Sequence, residues 1–202
     1  MPPARVVIFD LGGVLIDWDP RHLYRKLLSD DAAIEAFLAE VCTGAWNEMQ
    51  DAGRSVAQAT AALIAERPEH AELIRAYYDR FDEMMKGPLE DTVGVLEDLD
   101  RNGVPLYALS NFSSEMFVHA RRRFPFLARF RDIVLSGDER LNKPDPRLYR
   151  VLLDRYRIDP AEAVFVDDRA PNAAAARALG MRAVCFVGAA ELRRELAELG
   201  LL

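Results

Sequence analysis

The side chains best placed to do chemistry in this 202-residue chain are a few carboxylates and one lysine, set at the ends of apolar runs. Asp10 follows Val6-Val7-Ile8-Phe9 directly and precedes Gly12-Gly13. A carboxylate held there can act as a nucleophile and form an aspartyl-phosphate. It reads equally well as a turn residue at a strand end. Asp167-Asp168 close a second apolar run, Ala163–Val166. Adjacent carboxylates repel each other unless a cation or hydrogen-bond donors satisfy them. Magnesium takes one or two carboxylates together with water and phosphate oxygens. Successive side chains of a strand point opposite ways, so one of the pair would face a metal and the other would be structural. Taken alone, the pair also fits a solvated turn with Asp168 capping the next helix.

Lys143 sits in Asn142-Lys143-Pro144-Asp145-Pro146, where the prolines stiffen the loop. The chain uses Arg for 23 of its 26 basic residues, which singles this lysine out. A compact ammonium suits a phosphate oxygen or a carboxylate nucleophile, whereas an exposed surface position is the default for any lysine. Ser110-Asn111 end a third apolar run, Val104–Leu109. They either donate to a phosphate or cap the helix that follows.

These residues need a scaffold that brings strand ends together. Val6–Phe9 is β-branched and apolar on both faces, as a central strand of a parallel sheet is. After Pro88, strands and helices alternate, with helices predicted near Asp91–Asn102, Ser114–Phe124, Leu148–Tyr156 and Pro171–Leu179. Residues 18–86 differ: Ala, Leu, Glu and Arg dominate and apolar residues recur at helical spacing. The expected fold is α/β, a doubly wound Rossmann-like parallel sheet (residues 1–17 and 87–202) with an inserted all-helical cap (residues 18–86). In such sheets the ligand lies outside the carboxyl ends of the strands, where Asp10, Ser110 and Asp167-Asp168 would converge. Trp46, Asn47, Tyr77 and Tyr78 of the cap either face that crevice or pack between helices.

The net charge of −7 argues against nucleic-acid binding, and Arg121-Arg122-Arg123 reads as a solvated helix face. Cys42 and Cys185 lack disulfide-framework or CxxC spacing, and His22, His70 and His119 form no ligand pair. No apolar window approaches a membrane span, and the first strand begins too early for a signal peptide. The expectation is therefore a soluble, cytoplasmic protein. The sequence carries no signal for oligomeric state.

The ordered set Phe9-Asp10-Leu11-Gly12-Gly13-Val14, Leu109-Ser110-Asn111, Lys143-Pro144-Asp145-Pro146 and Val164–Asp168 with Asn172 downstream resembles the four motifs of the haloacid dehalogenase superfamily, mostly phosphatases. The resemblance covers nearly the whole chain, cap included. It is similar in particular to bacterial glucose-1-phosphate phosphatases and to the N-terminal phosphatase domain of soluble epoxide hydrolase. By that resemblance Asp10 is nucleophile and magnesium ligand, and Ser110 and Asn111 hold the phosphoryl group. Lys143 neutralises charge on it. Asp168 is the main second ligand, supported by Asp167, and Gly12 contributes its backbone carbonyl. Asp17 matches a common Asp at the cap hinge, or caps a helix.

The pattern breaks at Gly12, where such phosphatases carry a second Asp that protonates the leaving group. A general acid is worth about 10²–10⁴ in rate. Its absence favours leaving groups that need little protonation, namely anomeric, aryl or acyl phosphates, unless Asp17 or a cap residue replaces it. Two other readings share the motifs. A 2-haloacid dehalogenase also uses an Asp nucleophile without the second Asp, and a weakened domain of this type would bind a phospho-ligand or a protein partner.

Overall fold

A computed structural model describes residues 2–202. The chain runs β1 (Val6–Phe9), β2 (Ile16–Trp18), α1 (Arg21–Tyr24), α2 (Asp31–Glu40), α3 (Gly44–Asp51), α4 (Val56–Glu66), α5 (Ala71–Asp79) and β3 (Met85–Pro88). It continues α6 (Glu90–Arg101), β4 (Leu106–Ser110), α7 (Ser114–Arg123), β5 (Asp132–Leu135), α8 (Ser136–Glu139) and α9 (Pro146–Tyr156). The last elements are β6 (Ala163–Asp167), α10 (Ala170–Ala178), β7 (Arg182–Cys185) and α11 (Ala189–Glu198).

Five strands form one parallel sheet in the order β5-β4-β1-β6-β7. β1 is its centre, so Val7, Ile8 and Phe9 are fully buried, each contributing about 1.5–3 kcal/mol by removal from water. The pleat divides them: Val7 and Phe9 join the core that continues into α6, α7 and α11, while Ile8 joins the one beneath α9 and α10. The sheet is therefore covered on both faces. The chain reverses its direction of travel across the sheet at β1, with β4 on one side and β6 on the other. That is where a crevice opens above the strand ends.

α1 to α5 form the helical cap, and its starts follow local rules. Asp30 accepts the Ala33 N–H at 2.8 Å to begin α2, and Thr43 accepts that of Trp46 at 3.0 Å to begin α3. α3 stops at Gly53, whose φ of +88 suits glycine. Trp46, Tyr77 and Tyr78 pack together with ring centroids 4.9–5.4 Å apart.

One expectation needs correction. Helical spacing implies that residues 18–86 hold helices only, but Trp18 and Met85 pair in the antiparallel ribbon β2–β3, where the chain leaves and re-enters the sheet unit. These strands have three and four residues and include Gly87 and Pro88, too short to display a period of two.

Candidate active site

Asp10, Ser110 and Asp167 stand at the carboxyl ends of three neighbouring strands, β1, β4 and β6. Asp10 is buried. Its Oδ1 accepts hydrogen bonds from the Leu11 N–H at 2.7 Å and the Ser110 hydroxyl at 2.8 Å. The same oxygen lies 2.9 Å from Lys143 Nζ. Oδ2 takes none of these three contacts. Burial pushes the Asp10 carboxyl up to about 6; Lys143 opposes this and the Asp167 charge adds to it.

Lys143 is no surface lysine: its side chain is wholly buried. Nζ donates to Asp167 Oδ2 at 2.7 Å and lies 5.5 Å from the centre of the Phe165 ring. Its backbone is clamped by Asn111, whose Oδ1 accepts the Lys143 N–H at 2.7 Å while Nδ2 donates to the Lys143 carbonyl at 3.0 Å. Asn111 thus places Lys143, and its second Nδ2 hydrogen is not used by this clamp.

Asp167 is fully buried and saturated with donors. Its Oδ1 accepts from the Arg169 N–H at 2.9 Å, and Asn172 Nδ2 lies 3.0 and 3.1 Å from its two oxygens. Tyr149 fixes Asn172 in turn by donating to its carbonyl at 3.0 Å. Asp168 is exposed on the rim. Burial of its carboxyl and the neighbouring Asp167 charge raise its proton affinity. It passes so close to Gly13 that a Cβ there would lie 2.5 Å from its Oδ2, and Gly13 has φ +74. The glycine turn after Asp10 is what lets the second carboxylate in.

One oxygen each from Asp10, Asp167 and Asp168 lies within 4.8 Å of the others. Three carboxylates against one ammonium leave two negative charges, all on hard oxygens, a donor set that fits a divalent cation such as magnesium. Gly12 lines the same cleft, and a Cβ there would meet nothing within 4 Å.

The cleft above these residues holds about 510 Å³. The core supplies its charged floor, and the cap supplies Asn47, Glu48, Asp51, Tyr77 and Tyr78. Trp46 packs behind this wall. Asp17 lies outside the cleft lining and pairs with His22 Nε2 at 2.9 Å, which ties β2 to α1. Of the three successive arginines, Arg123 does more than face solvent: it donates to the carbonyls of Asp82 and Lys86 at the edge of the cap.

Sequence reasoning missed Asp51, the last residue of α3. Its Oδ2 accepts from Asn47 Nδ2 at 2.9 Å, Asn47 Oδ1 accepts from the Tyr78 hydroxyl at 3.0 Å, and Tyr78 accepts from Gln50 Nε2 at 3.1 Å. The Asp51 carboxylate also accepts the Ser113 N–H, and its main-chain carbonyl accepts the Ser136 hydroxyl at 2.5 Å. Burial pushes this carboxyl up to about 7, with the charges of Glu48 and Asp10 acting the same way and the Ser113 N–H against them. The available signal was its position, since an acid in the last turn of a helix opposes the macrodipole.

Comparison with known proteins bears on this geometry. A sesquiterpene phosphatase of Aspergillus oryzae is 26% identical over 177 residues, covering 88% of this chain and 87% of that one. A drimenol cyclase of Aspergillus calidoustus is 28% identical over 202 residues, and this chain spans 36% of its length. (S)-2-haloacid dehalogenase 1 of a Pseudomonas strain is 34% identical over 117 residues, 57% of this chain and 50% of that one. In fold, the chain is similar to a HAD-family enzyme of Bacteroides thetaiotaomicron crystallised with magnesium and inorganic phosphate. The TM-score is 0.67 at 20% identity, with 90% of this chain and 93% of that one covered. The family model for haloacid dehalogenase-like hydrolases matches residues 4–180, and with its motif residues gathered at three adjacent strand ends, the chain belongs to that family.

Proposed function

We propose that this hydrolase is a magnesium-dependent phosphatase of small phosphorylated metabolites, working through an aspartyl-phosphate on Asp10. The observation that carries the reading is the trio of carboxylates within 4.8 Å around a buried lysine. Asp10, Asp168 and the Gly12 carbonyl would hold the cation, while Asp167, saturated by Lys143, Asn172 and Arg169, supports the set. Magnesium, when bound, neutralises charge between these carboxylates and the phosphoryl oxygens. Ser110 and Lys143 fix Oδ1 of Asp10, which leaves Oδ2 to attack phosphorus. Ser110, Lys143 and the remaining Asn111 N–H then face the transferring phosphoryl oxygens. Phosphoryl transfer needs chiefly this positioning and charge neutralisation.

A cleft of about 510 Å³ suits a metabolite-sized ester, and a sugar 1-phosphate, whose hemiacetal hydroxyl departs readily, is the compound to test first. A panel of phosphorylated metabolites assayed for phosphate release should respond to magnesium and lose all response in Asp10→Asn. The partial likeness to a haloacid dehalogenase supports one rival. Release of chloride from 2-chloropropionate in EDTA, with no phosphatase activity, would establish that rival instead. Against it, the net negative charge of the Asp10, Asp167, Asp168 and Lys143 cluster repels an anionic haloacid.

A further inference from the structure

Gly12 leaves the phosphatase reading without a proton donor for the leaving group. A replacement must sit across the cleft from Asp10, because in-line displacement sends the leaving oxygen away from the nucleophile. It must also carry a proton near neutral pH and be held in place. Asp17 fails the first demand, being paired with His22 outside the cleft lining. Glu48 lines the cap wall, but its side chain is half exposed and is paired with Arg169 at 3.4 Å, so it is not held toward the cleft.

Asp51 meets all three demands. It lines the cap wall of the cleft whose floor contains Asp10. No cation pairs with it among the described residues. It is aimed by a directed chain, Gln50 to Tyr78 to Asn47 to Asp51, in which every link donates toward the carboxylate. Its other anchors, Ser113 N–H and Ser136 Oγ, belong to the segments just after β4 and β5, so its position is registered against the core. We propose that Asp51 is the general acid and base of the reaction, supplied by the cap in place of the Asp missing at residue 12. This rests on the phosphatase reading and widens its substrate class from activated esters to ordinary alkyl phosphates.

In the first step Asp10 Oδ2 attacks phosphorus, the bond to the ester oxygen breaks, and the Asp51 carboxyl gives its proton to that oxygen so that a neutral alcohol leaves. In the second, the Asp51 carboxylate takes a proton from water as its oxygen attacks phosphorus. The aspartyl-phosphate bond breaks, and phosphate, the Asp10 carboxylate and the Asp51 acid are regenerated. Burial holds the Asp51 proton up to about pH 7. The ionisable groups around it are Glu48 on its own helix, Asp10 across the cleft and the phenols of Tyr77 and Tyr78 on α5; α8, packed against α3, carries Asp138 and Glu139.

The test is the leaving-group dependence of kcat/KM, which reports the first step. Magnesium-loaded wild type and Asp51→Asn are compared on 2,4-dinitrophenyl, 4-nitrophenyl and phenyl phosphates. Asp51→Asn is expected to lose about 10²–10⁴ on phenyl phosphate and less than about tenfold on the dinitrophenyl ester, whose leaving group needs no proton. That retained reactivity also certifies that the variant is folded. The kcat should fall with every ester, and with the dinitrophenyl ester a burst of dinitrophenolate equal to the enzyme should appear, because the second step has lost its base. Adding Gly12→Asp to Asp51→Asn should restore phenyl phosphate turnover, since Gly12 has room for a side chain. An equal loss on all three esters in kcat/KM, without rescue, overturns the assignment of Asp51 and leaves the phosphatase reading standing. A wild type that releases no phosphate from any of them overturns both.

Discussion

The buried lysine offers the sharpest physical test of the site, independent of any substrate. In Lys143→Met a side chain of similar length fills the space beside Phe165 without its charge. The ammonium it removes lies 2.9 Å from Asp10 Oδ1 and 2.7 Å from Asp167 Oδ2, and all three side chains are nearly or wholly out of water. Removing one partner of a buried ion pair costs about 3–5 kcal/mol, since the remaining charge is left uncompensated. Here two carboxylates are left facing each other, so the proton affinity of Asp10, already raised by burial, rises further in the folded state. A carboxylate whose folded-state pKa lies above its unfolded value favours folding in acid and loses that contribution as pH rises through the folded value. The deficit should therefore be small near pH 5, where a shared proton replaces the ammonium, and reach its full size of about 3–5 kcal/mol near pH 8. Urea unfolding of both proteins at pH 5, 6.5 and 8 measures it, with the slope m checked for constancy. A deficit unchanged across this range, or absent at pH 8, would mean that Lys143 does not neutralise Asp10 and Asp167, and the electrostatic account of the site would fall.

Other expectations follow from the same geometry. Asp51→Asn should raise the melting temperature more at pH 8 than at pH 5. The wild-type carboxyl, pushed up to about 7 by burial, costs stability progressively as pH rises from its unfolded value to the folded one, to a ceiling of about 4 kcal/mol. Equal melting temperatures of the two proteins at pH 8 would count against a raised Asp51. Gly13→Ala places a methyl 2.5 Å from Asp168 Oδ2 at a φ of +74. It should lose about 1–3 kcal/mol in denaturant titration and weaken magnesium binding measured calorimetrically. Magnesium at about a hundred times its dissociation constant should stabilise the wild type by about 2.7 kcal/mol, seen as a rise in melting temperature that EDTA reverses and Asp168→Asn lacks.

The sheet was legible because its signals are local. A fully apolar four-residue run ending in Asp10, and similar runs ending in Ser110 and Asp167, report burial on two faces and a polar exit. Pro146 at the first turn of α9 and Gly103 after α6 mark boundaries within a residue or two. What escaped depends on partners distant in sequence. Nothing near Asn111 announces that its amide will clamp the backbone of residue 143, and nothing near Lys143 says that it will be sealed from solvent. The β2–β3 ribbon pairs residues about seventy apart through strands too short for a pattern. Asp51 belongs to no motif; its role arises from a cap helix meeting the segments after β4 and β5.

That last placement has a physical rationale. On the cap, the carboxyl takes its proton affinity from burial and from the charges of Glu48 and Asp10. It remains in reach of the cleft only while cap and core are joined. Glu48–Arg169, Asn142 to the Glu48 carbonyl and Ser136 to the Asp51 carbonyl all make that junction around the same helix end. Under the role proposed for Asp51, proton delivery depends on this junction. Loosening the seam with Ser136→Ala should consequently reduce turnover of poor leaving groups more than that of dinitrophenyl phosphate, the same selective signature as removing Asp51 in milder form. A uniform loss across esters would mean that Ser136 only supports the fold.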